Sequence, residues 1–289
     1  MHAFKKRYNL IIIALILLAG VTACEKDVIL DLADIEGKYV IVEANLINDG
    51  SRQWIRLTRS SSYYDVTTGD AVQNASVIVR GNNQSWVFSE LLPDSLPGYY
   101  FNSEISFALV EATYELIIET ADEETFVAQS EFIPLPVLDS VTVKINPFSE
   151  FNFFDTTVYD VIAHFAHLPE IEEYYLFNLY INNKIRTPRP SDKAPVSDEN
   201  LDPYTSFAVL SVNEDDIAPG DTLTLEMRSI SKEKFDFYNV FFFQTDLSGN
   251  PFAGAPPANI PTNLSEGARG FFQISAVNRK TIIFQPPLQ

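Results

Sequence analysis

The sequence predicts a mainly β protein, in which an N-terminal immunoglobulin- or transthyretin-like β-sandwich precedes a second β-rich domain that carries one amphipathic helix. Three observations predict this fold class. Apolar and polar residues alternate with a period of two through most of the chain, as in strands that bury one face. The alternating segments are short, rich in β-branched and aromatic residues, and bounded by turn signals. With 46% apolar and 20% charged residues in 289, the chain can bury a core, which excludes wholesale disorder.

The first domain is predicted to span residues 38–135 and to hold the strands of the sandwich. Asn48-Asp49-Gly50 and Gly81-Asn82-Asn83 carry residue types that tolerate the left-handed backbone of tight turns. These turns separate segments with strand-like alternation. The predicted strands cover residues 39–47, 53–59, 75–80, 85–90, 99–102, 113–120 and 125–132.

The second domain is predicted to span residues 136–289. Pro134 and Pro136 mark the boundary, because proline denies ladder hydrogen bonds and stiffens a connection. Residues 184–203 contain four prolines and are interpreted as a long exposed loop. Strands are expected at residues 140–145, 157–168, 173–181, 206–212, 222–230, 271–277 and 281–285.

One segment of the second domain has a helical period. Within residues 231–246, apolar side chains recur three and four positions apart, and Ser231 is suited to be the N-cap. This spacing predicts an amphipathic helix near 231–246 that packs on the second sheet. The residues that carry the period are Phe235, Tyr238, Phe241, Phe242 and Thr245.

Residues 1–23 have the organisation of a secretory signal peptide. A basic start at Lys5, Lys6 and Arg7 precedes ten apolar residues, 10–19. Ten helical residues span ~15 Å, about half of a ~30 Å hydrocarbon core. A signal peptide therefore explains this segment better than a permanent membrane helix.

The end of this segment, Val21-Thr22-Ala23-Cys24, resembles the lipobox of bacterial lipoproteins. The resemblance implies cleavage before Cys24 and acylation of its thiol and new amino group. Two or more acyl chains give stable membrane anchoring. Residues 24–37 would then be a lipidated tether, and because Cys24 is the chain's one cysteine, no thiol would remain for a disulfide.

Charge and residue counts exclude several classes of function. The chain has 20 basic and 39 acidic residues, a formal charge of −19, which disfavours nucleic-acid binding. With three histidines and one cysteine, the chain has few ligands for a metal or haem site. His164 and His167 are three apart in a strand pattern and so point to opposite faces. We predict no metal, no cofactor and no catalytic residue.

Acidic clusters offer the remaining chemistry, because two carboxylates suffice for glycoside hydrolysis. Glu172 and Glu173 lie beside Pro169 and Glu170, but solvated loops explain such clusters in a chain this acidic. Asp198, Glu199 and Asp202 offer oxygen ligands that suit a calcium ion. Their spacing is not that of an EF-hand.

Tyrosines suggest a recognition surface, because rigid aromatic side chains make good contacts. Tyr63 and Tyr64 lie in a predicted loop and are the proposed binding residues. Tyr99 and Tyr100 belong to a predicted strand, where sheet packing explains at least one of them equally well.

Nearly the whole chain after Cys24 resembles the domain of unknown function family 4249, a family of Bacteroidota lipoproteins. The resemblance rests on the 39–47 strand and on segments at 56–59, 72–77, 114–120, 229–231, 250–252, 256–264 and 267–272. Asn74 stands where the family often has glycine, and Asn tolerates the left-handed conformation such a turn needs. The resemblance implies an outer-membrane lipoprotein associated with TonB-dependent transport, and brings no catalytic residue.

The expected function is that of a non-enzymatic accessory lipoprotein of the outer membrane. It would be anchored through Cys24 and would bind a ligand or a TonB-dependent receptor. Glu25-Lys26-Asp27 resembles the acidic tract that exports lipoproteins to the cell exterior, and the periplasmic face is the alternative. The alternative functions are a carboxylate-dependent glycan hydrolase and a structural adhesin or envelope-assembly protein.

Overall fold

The computed structural model describes residues 39–61, 69–107, 112–150, 156–166, 172–199, 204–245 and 259–287. Within these residues sixteen strands form four sheets, which confirms the predicted mainly β class. Among the same residues, no helix combines the length and apolar character that crossing a bilayer requires.

The strands are numbered in chain order. They are β1 (Val40–Ile47), β2 (Gln53–Arg59), β3 (Ser76–Gly81), β4 (Gln84–Phe88), β5 (Tyr99–Asn102), β6 (Ala112–Glu119), β7 (Thr125–Phe132), β8 (Leu138–Ile145), β9 (Val158–Ala166), β10 (Tyr174–Ile181), β11 (Lys184–Ile185), β12 (Ala194–Ser197), β13 (Tyr204–Asn213), β14 (Thr222–Ile230), β15 (Ala268–Ser275) and β16 (Val277–Ile283). The helices are α1 (Pro147–Glu150) and α2 (Lys232–Thr245).

The first sandwich is made of two four-stranded sheets that share a core. Their strand orders are β15-β1-β2-β5 and β4-β3-β6-β7. The two-residue period turns Val42 and Leu57 of one sheet toward Val79 and Leu116 of the other, and all four side chains are fully buried. The predicted N-terminal sandwich therefore exists.

Asparagine supplies the left-handed turns of this sandwich. Asn82 and Asn83 have φ angles of 51° and 59° between β3 and β4, as a two-residue hairpin requires. Asn74 has a φ of 58°, so the prediction that asparagine would adopt the left-handed conformation there is confirmed.

The second half contains the sheets β13-β9-β8 and β11-β10-β14-β16, with β12 also paired to β10. Alternate side chains of β10 and β14 face a second core, including Phe177, Leu179, Leu225 and Met227. Leu135, between the two boundary prolines, packs against both cores.

The prediction of one long exposed loop over residues 184–203 is wrong for two segments of that stretch, and residues 200–203 lie outside the described residues. Lys184–Ile185 and Ala194–Ser197 both pair with β10, and the side chains of Thr187 and Asp198 are buried. The prolines are compatible with this arrangement because β12 is an edge strand, where a missing ladder donor is tolerated.

The predicted helix is confirmed as α2, whose bounds differ from the prediction by one residue at each end. The backbone N–H of Lys234 donates to Ser231 Oγ at 3.2 Å, so Ser231 is the N-cap as expected. Tyr238 is buried on the sheet, in a cluster with Tyr174, Leu176 and Ile230.

The sequence predicts β15 as a strand but does not predict its partner. β15 pairs in parallel with β1 over eight residues, from Val40 opposite Ala268 to Ile47 opposite Ser275. After Ala276 the chain enters β16, which pairs with β14 in the second half. Two consecutive strands near the C-terminus therefore belong to different sandwiches.

Gly270 tests this pairing, because the backbone of β1 leaves no room for a side chain there. Its φ is +104°, and a Cβ would lie 2.1 Å from the carbonyl oxygen of Val42. Gly220 has a φ of +92° with nothing within 4 Å of a Cβ, so it is a matched control. We expect Gly270→Ala to lower the free energy of unfolding by about 3 kcal/mol or more, and Gly220→Ala by about 1–2 kcal/mol. Urea denaturation measures both changes, and equal losses would contradict the close approach.

Candidate functional site

Several residues singled out from the sequence lie outside the described residues. These are Cys24, Tyr63, Tyr64, His167 and Asp202. The predicted lipidation of Cys24 and the predicted recognition by Tyr63 and Tyr64 therefore stay predictions.

Tyr99 and Tyr100, by contrast, are both described, and they point to opposite sides of β5. Tyr100 is 1% exposed, and its hydroxyl donates to the carbonyl of Val72 at 2.8 Å and accepts from the N–H of Ala75 at 3.0 Å. Tyr99 lies on the outer side of the sheet and is partly exposed. Tyr99 is therefore the member of this pair that remains available for recognition.

Tyr99 belongs to an aromatic face on the outer side of β2 and β5. We define the aromatic face as Arg52, Trp54, Arg56, Tyr99 and Phe101. Because Gln53 and Ile55 of β2 point inward and are buried, Trp54 and Arg56 point outward. Antiparallel pairing places Trp54 opposite Phe101 and Arg56 opposite Tyr99.

The three rings of the aromatic face contact one another, with Trp54 and Tyr99 at the surface and Phe101 buried at 7% exposure. The ring centroids of Trp54 and Tyr99 are 5.5 Å apart, with the planes at 50°. Those of Tyr99 and Phe101 are 6.2 Å apart and stacked at 17°. Trp54 remains 40% exposed, which is high for a side chain of this size.

Two guanidinium groups lie over these rings. The Cζ of Arg52 is 4.5 Å from the centroid of Phe101, and the Cζ of Arg56 is 5.4 Å from that of Tyr99. Arg56 also pairs with Glu43 through Nη1 and Oε1 at 3.0 Å. The Nε of Arg56 is buried without a hydrogen-bond partner in the described part of the chain. The aromatic face is therefore rigid and locally basic, although the whole chain is acidic.

Rigid tryptophan, tyrosine and arginine side chains are the residue types that contribute most to protein–protein binding. They lose little conformational entropy on binding, and here the sheet and the cation–π contacts hold them in place. The composition of this face is thus typical of a protein-binding surface. The alternation of 53–59 already carried the signal, because it places Trp54 and Arg56 on one side of a strand whose other side is apolar.

A second feature is an acidic cleft between the start of β6, the end of β7 and the start of β10. Its volume is about 630 Å³. Its carboxylates come from Glu131, Glu172 and Glu173. The remaining lining residues are Ala112, Thr113, Phe132, Ile133, Pro134, Tyr174, Tyr175, Ser229 and Ile230.

Tyrosine hydroxyls hold two carboxylates of the acidic cleft. Tyr174 donates to Glu172, and Tyr175 donates to Glu173 Oε2 at 2.9 Å. Burial, together with these carboxylates, raises the pKa of both tyrosines far above the ordinary value. Both hydroxyls therefore remain donors over the physiological pH range.

His164 and Asp198, two of the possible metal ligands named from the sequence, form hydrogen bonds within the fold. His164 lies between the hydroxyls of Thr142 and Ser206, with 2.7 Å from Nε2 to Thr142 Oγ1. Asp198 Oδ1 accepts the N–H of Glu173 at 2.8 Å at the edge of β10. Within the described ranges, no group of three or more His, Cys, Asp and Glu side chains is arranged to hold a metal ion.

Comparisons with solved structures give only remote likeness. A cytokine receptor complex is 12% identical, with a TM-score of 0.23 over 66% of this chain and 89% of that chain. The fibronectin(III)-like modules of Clostridium thermocellum CbhA are 8% identical, with a TM-score of 0.20 over 67% and 86%. These scores are too low to support an argument about fold or function.

Comparison with protein families is more informative. No curated protein matches the sequence. The family described as "Domain of unknown function (DUF4249)" matches residues 25–281, which is most of the chain. The chain therefore belongs to the DUF4249 family.

Proposed function

We propose that this protein is a non-enzymatic, lipid-anchored lipoprotein of the outer membrane that docks onto a protein partner through the aromatic face. The observation that carries this proposal is the outward, 40% exposed Trp54, whose ring contacts that of Tyr99 and which lies beside two arginines. The resemblance of the sequence to its family suggests a TonB-dependent receptor as the partner.

The anchoring part of the proposal is supported by the N-terminal sequence. An apolar stretch at 10–19 leads to Cys24 in a lipobox-like context. The tether 24–37 would leave the first sandwich, which begins at β1, free to reach a membrane-embedded partner. We place the protein on the cell exterior because of Glu25-Lys26-Asp27, with the periplasmic face as the alternative.

Replacing the lipidated residue tests the anchor. We expect Cys24→Ser to abolish cleavage before residue 24 and acylation, because the lipid is attached to the thiol that serine lacks. Metabolic labelling with a palmitate analogue and mass spectrometry of the N-terminus measure both steps. An acylated Cys24→Ser protein, cut at the same bond, would contradict the proposal.

Replacing the exposed tryptophan tests the docking surface. We expect Trp54→Ala to reduce recovery of a copurifying transporter from mild-detergent extracts by more than tenfold, as for a binding hot spot. Val87→Ala is the control, because Val87 is 59% exposed on β4, in the other sheet, and should leave recovery unchanged. Since Trp54 points out of the core, both variants should fold.

Other outcomes of the same experiment would favour the alternative functions. Equal recovery with both variants would contradict docking through the aromatic face. Glycan hydrolysis by the purified protein, lost in Glu173→Gln, would favour a hydrolase, for which the acidic cleft is the supporting observation. Binding to extracellular matrix, with no transporter recovered, would favour an adhesin.

A further inference from the structure

A row of aliphatic side chains crosses the outer side of the sheet β4-β3-β6-β7. Alternate side chains of these strands point away from the core of the first sandwich. The antiparallel registers place Ile78 opposite both Val87 and Ile117, and Ile117 opposite Val127. We define the aliphatic row as Val87, Ile78, Ile117 and Val127. One β-branched side chain from each of the four strands therefore lies on a line across the sheet.

The aliphatic row is open to solvent, most of all at its two ends. Val87 is 59% exposed and Val127 is 42% exposed, while Ile78 and Ile117 between them are partly buried. Single apolar residues are normal on a protein surface, but four neighbours on one line form a contiguous apolar strip. The aromatic face lies on the outer side of the other sheet of this sandwich, so the two surfaces are separate.

Polar side chains flank the aliphatic row on both sides. On one side, Arg80 of β3 lies opposite Glu115 of β6. On the other side, Ser76 of β3 lies opposite Glu119 of β6. Among the described residues, neither Arg80 nor Glu115 forms an ion pair. The neighbours of these residues on the outer strands are uncharged; they are Ser85, Gln129 and Thr125.

A two-fold axis parallel to the strands, between β3 and β6, makes this surface complementary to itself. When two sheets pack face to face, this axis exchanges β3 with β6 and β4 with β7. Ile78 then faces Ile117 of the second copy, and Arg80 faces Glu115 of the second copy. Because the axis acts on both copies, the apolar contact and the ion pair each occur twice.

The alternative two-fold axis, which runs along the aliphatic row, is disfavoured by charge. This axis would place Glu115 against Glu119 of the second copy, because the two residues flank the row on opposite sides of β6. Arg80 would face the hydroxyl of Ser76 instead of a carboxylate. Like charges that face each other across an interface are strongly unfavourable. The charges therefore favour the orientation in which β3 of one copy faces β6 of the other.

We infer that the aliphatic row is the interface of a symmetric homodimer, in which β3 of each copy packs on β6 of the other. Four strands about 4.8 Å apart and about six residues long cover roughly 400 Å². A standard protein–protein interface buries about 800 Å² on each partner. The interface is therefore small, and the dimer dissociates on dilution.

Charge reversal of the two facing residues tests the dimer. Sedimentation velocity of the purified full-length chain in mild detergent, over a series of protein concentrations, gives the dissociation constant of the dimer. Arg80→Glu and Glu115→Arg should each raise this constant at least tenfold, because each variant brings like charges together across the axis. The double variant Arg80→Glu/Glu115→Arg restores both ion pairs with the charges exchanged. Its dissociation constant should therefore return to within about threefold of the wild-type value.

Lys144→Glu is the matched control for the charge reversal. Lys144 is exposed on β8, in another sheet, and this variant changes the net charge by the same amount as Arg80→Glu. It should change the dissociation constant less than twofold. A wild-type chain that stays monomeric at every concentration would overturn the inference. A dimer that Arg80→Glu leaves unchanged, or that the double variant fails to restore, would also overturn it.

Crosslinking tests the orientation without any change of charge. In the inferred dimer Val87 faces Val127 of the second copy, since the axis exchanges β4 with β7. A short bismaleimide, which can span packed sheets ~10 Å apart, should crosslink a mixture of Val87→Cys and Val127→Cys chains. Either variant alone should give at least fivefold less crosslinked dimer than the mixture.

Val137→Cys is the control for the crosslinking, because Val137 is 65% exposed and lies outside the aliphatic row. This variant also retains Cys24, so it reports any crosslinking through that residue. It should give no more crosslinked dimer than wild type. Crosslinking of Val87→Cys with itself as strong as in the mixture, or no crosslinking in the mixture, would overturn the inferred interface. This result would stand even if a charge-reversed variant failed to fold.

Discussion

The parallel pairing of β1 with β15 is the interaction on which the rest of the structure depends. It joins residues more than 220 positions apart and supplies Phe272 and Ile274 to the core of the first sandwich. A parallel pair needs a long crossover connection, and here that connection contains all the strands from β2 to β14. The first sheet therefore cannot be completed until the end of the chain has folded back onto its beginning, which makes contact order high and folding slow.

The same pairing also brings the two halves of the chain together. The hydroxyl of Ser229, at the end of β14, donates to the carbonyl of Ile133 at 2.6 Å and accepts the N–H of Ala276 at 3.0 Å, beside the end of β15. On the outer side of β15, Phe271 contacts Lys234 and Phe237 of α2. Glu43, opposite Phe271 on β1, pairs with Arg56 of the aromatic face. The aromatic face and the contact between α2 and β15 thus share the outer side of one sheet.

Local features could be predicted from the sequence, because alternation, asparagine turns and the N-cap at Ser231 act over a few residues. The partner of β15 could not, since pairing across the length of the chain leaves no local pattern. The strand Ala194–Ser197 was missed because proline counts against a strand unless its edge position is known. Of the aromatic face, the sequence offers Tyr99 as a candidate; the alternation of 53–59 also places Trp54 outward, but the pairing of Trp54 with Phe101 on β5 could not be predicted. The burial of Lys234 could not be predicted, because its contact with Phe271 is tertiary and leaves no local pattern.

Amide hydrogen exchange measures the free energy at which the hydrogen bonds between β1 and β15 open, and so tests this pairing most directly. If β1 and β15 belong to one cooperative unit, the amides of Val42, Ala44, Phe271 and Gln273 will open with the same free energy, equal to that of global unfolding. Exchange of the β15 amides at a clearly lower free energy, with the β1 amides still protected, would contradict the account. In that case the first sandwich would be stable without the end of the chain.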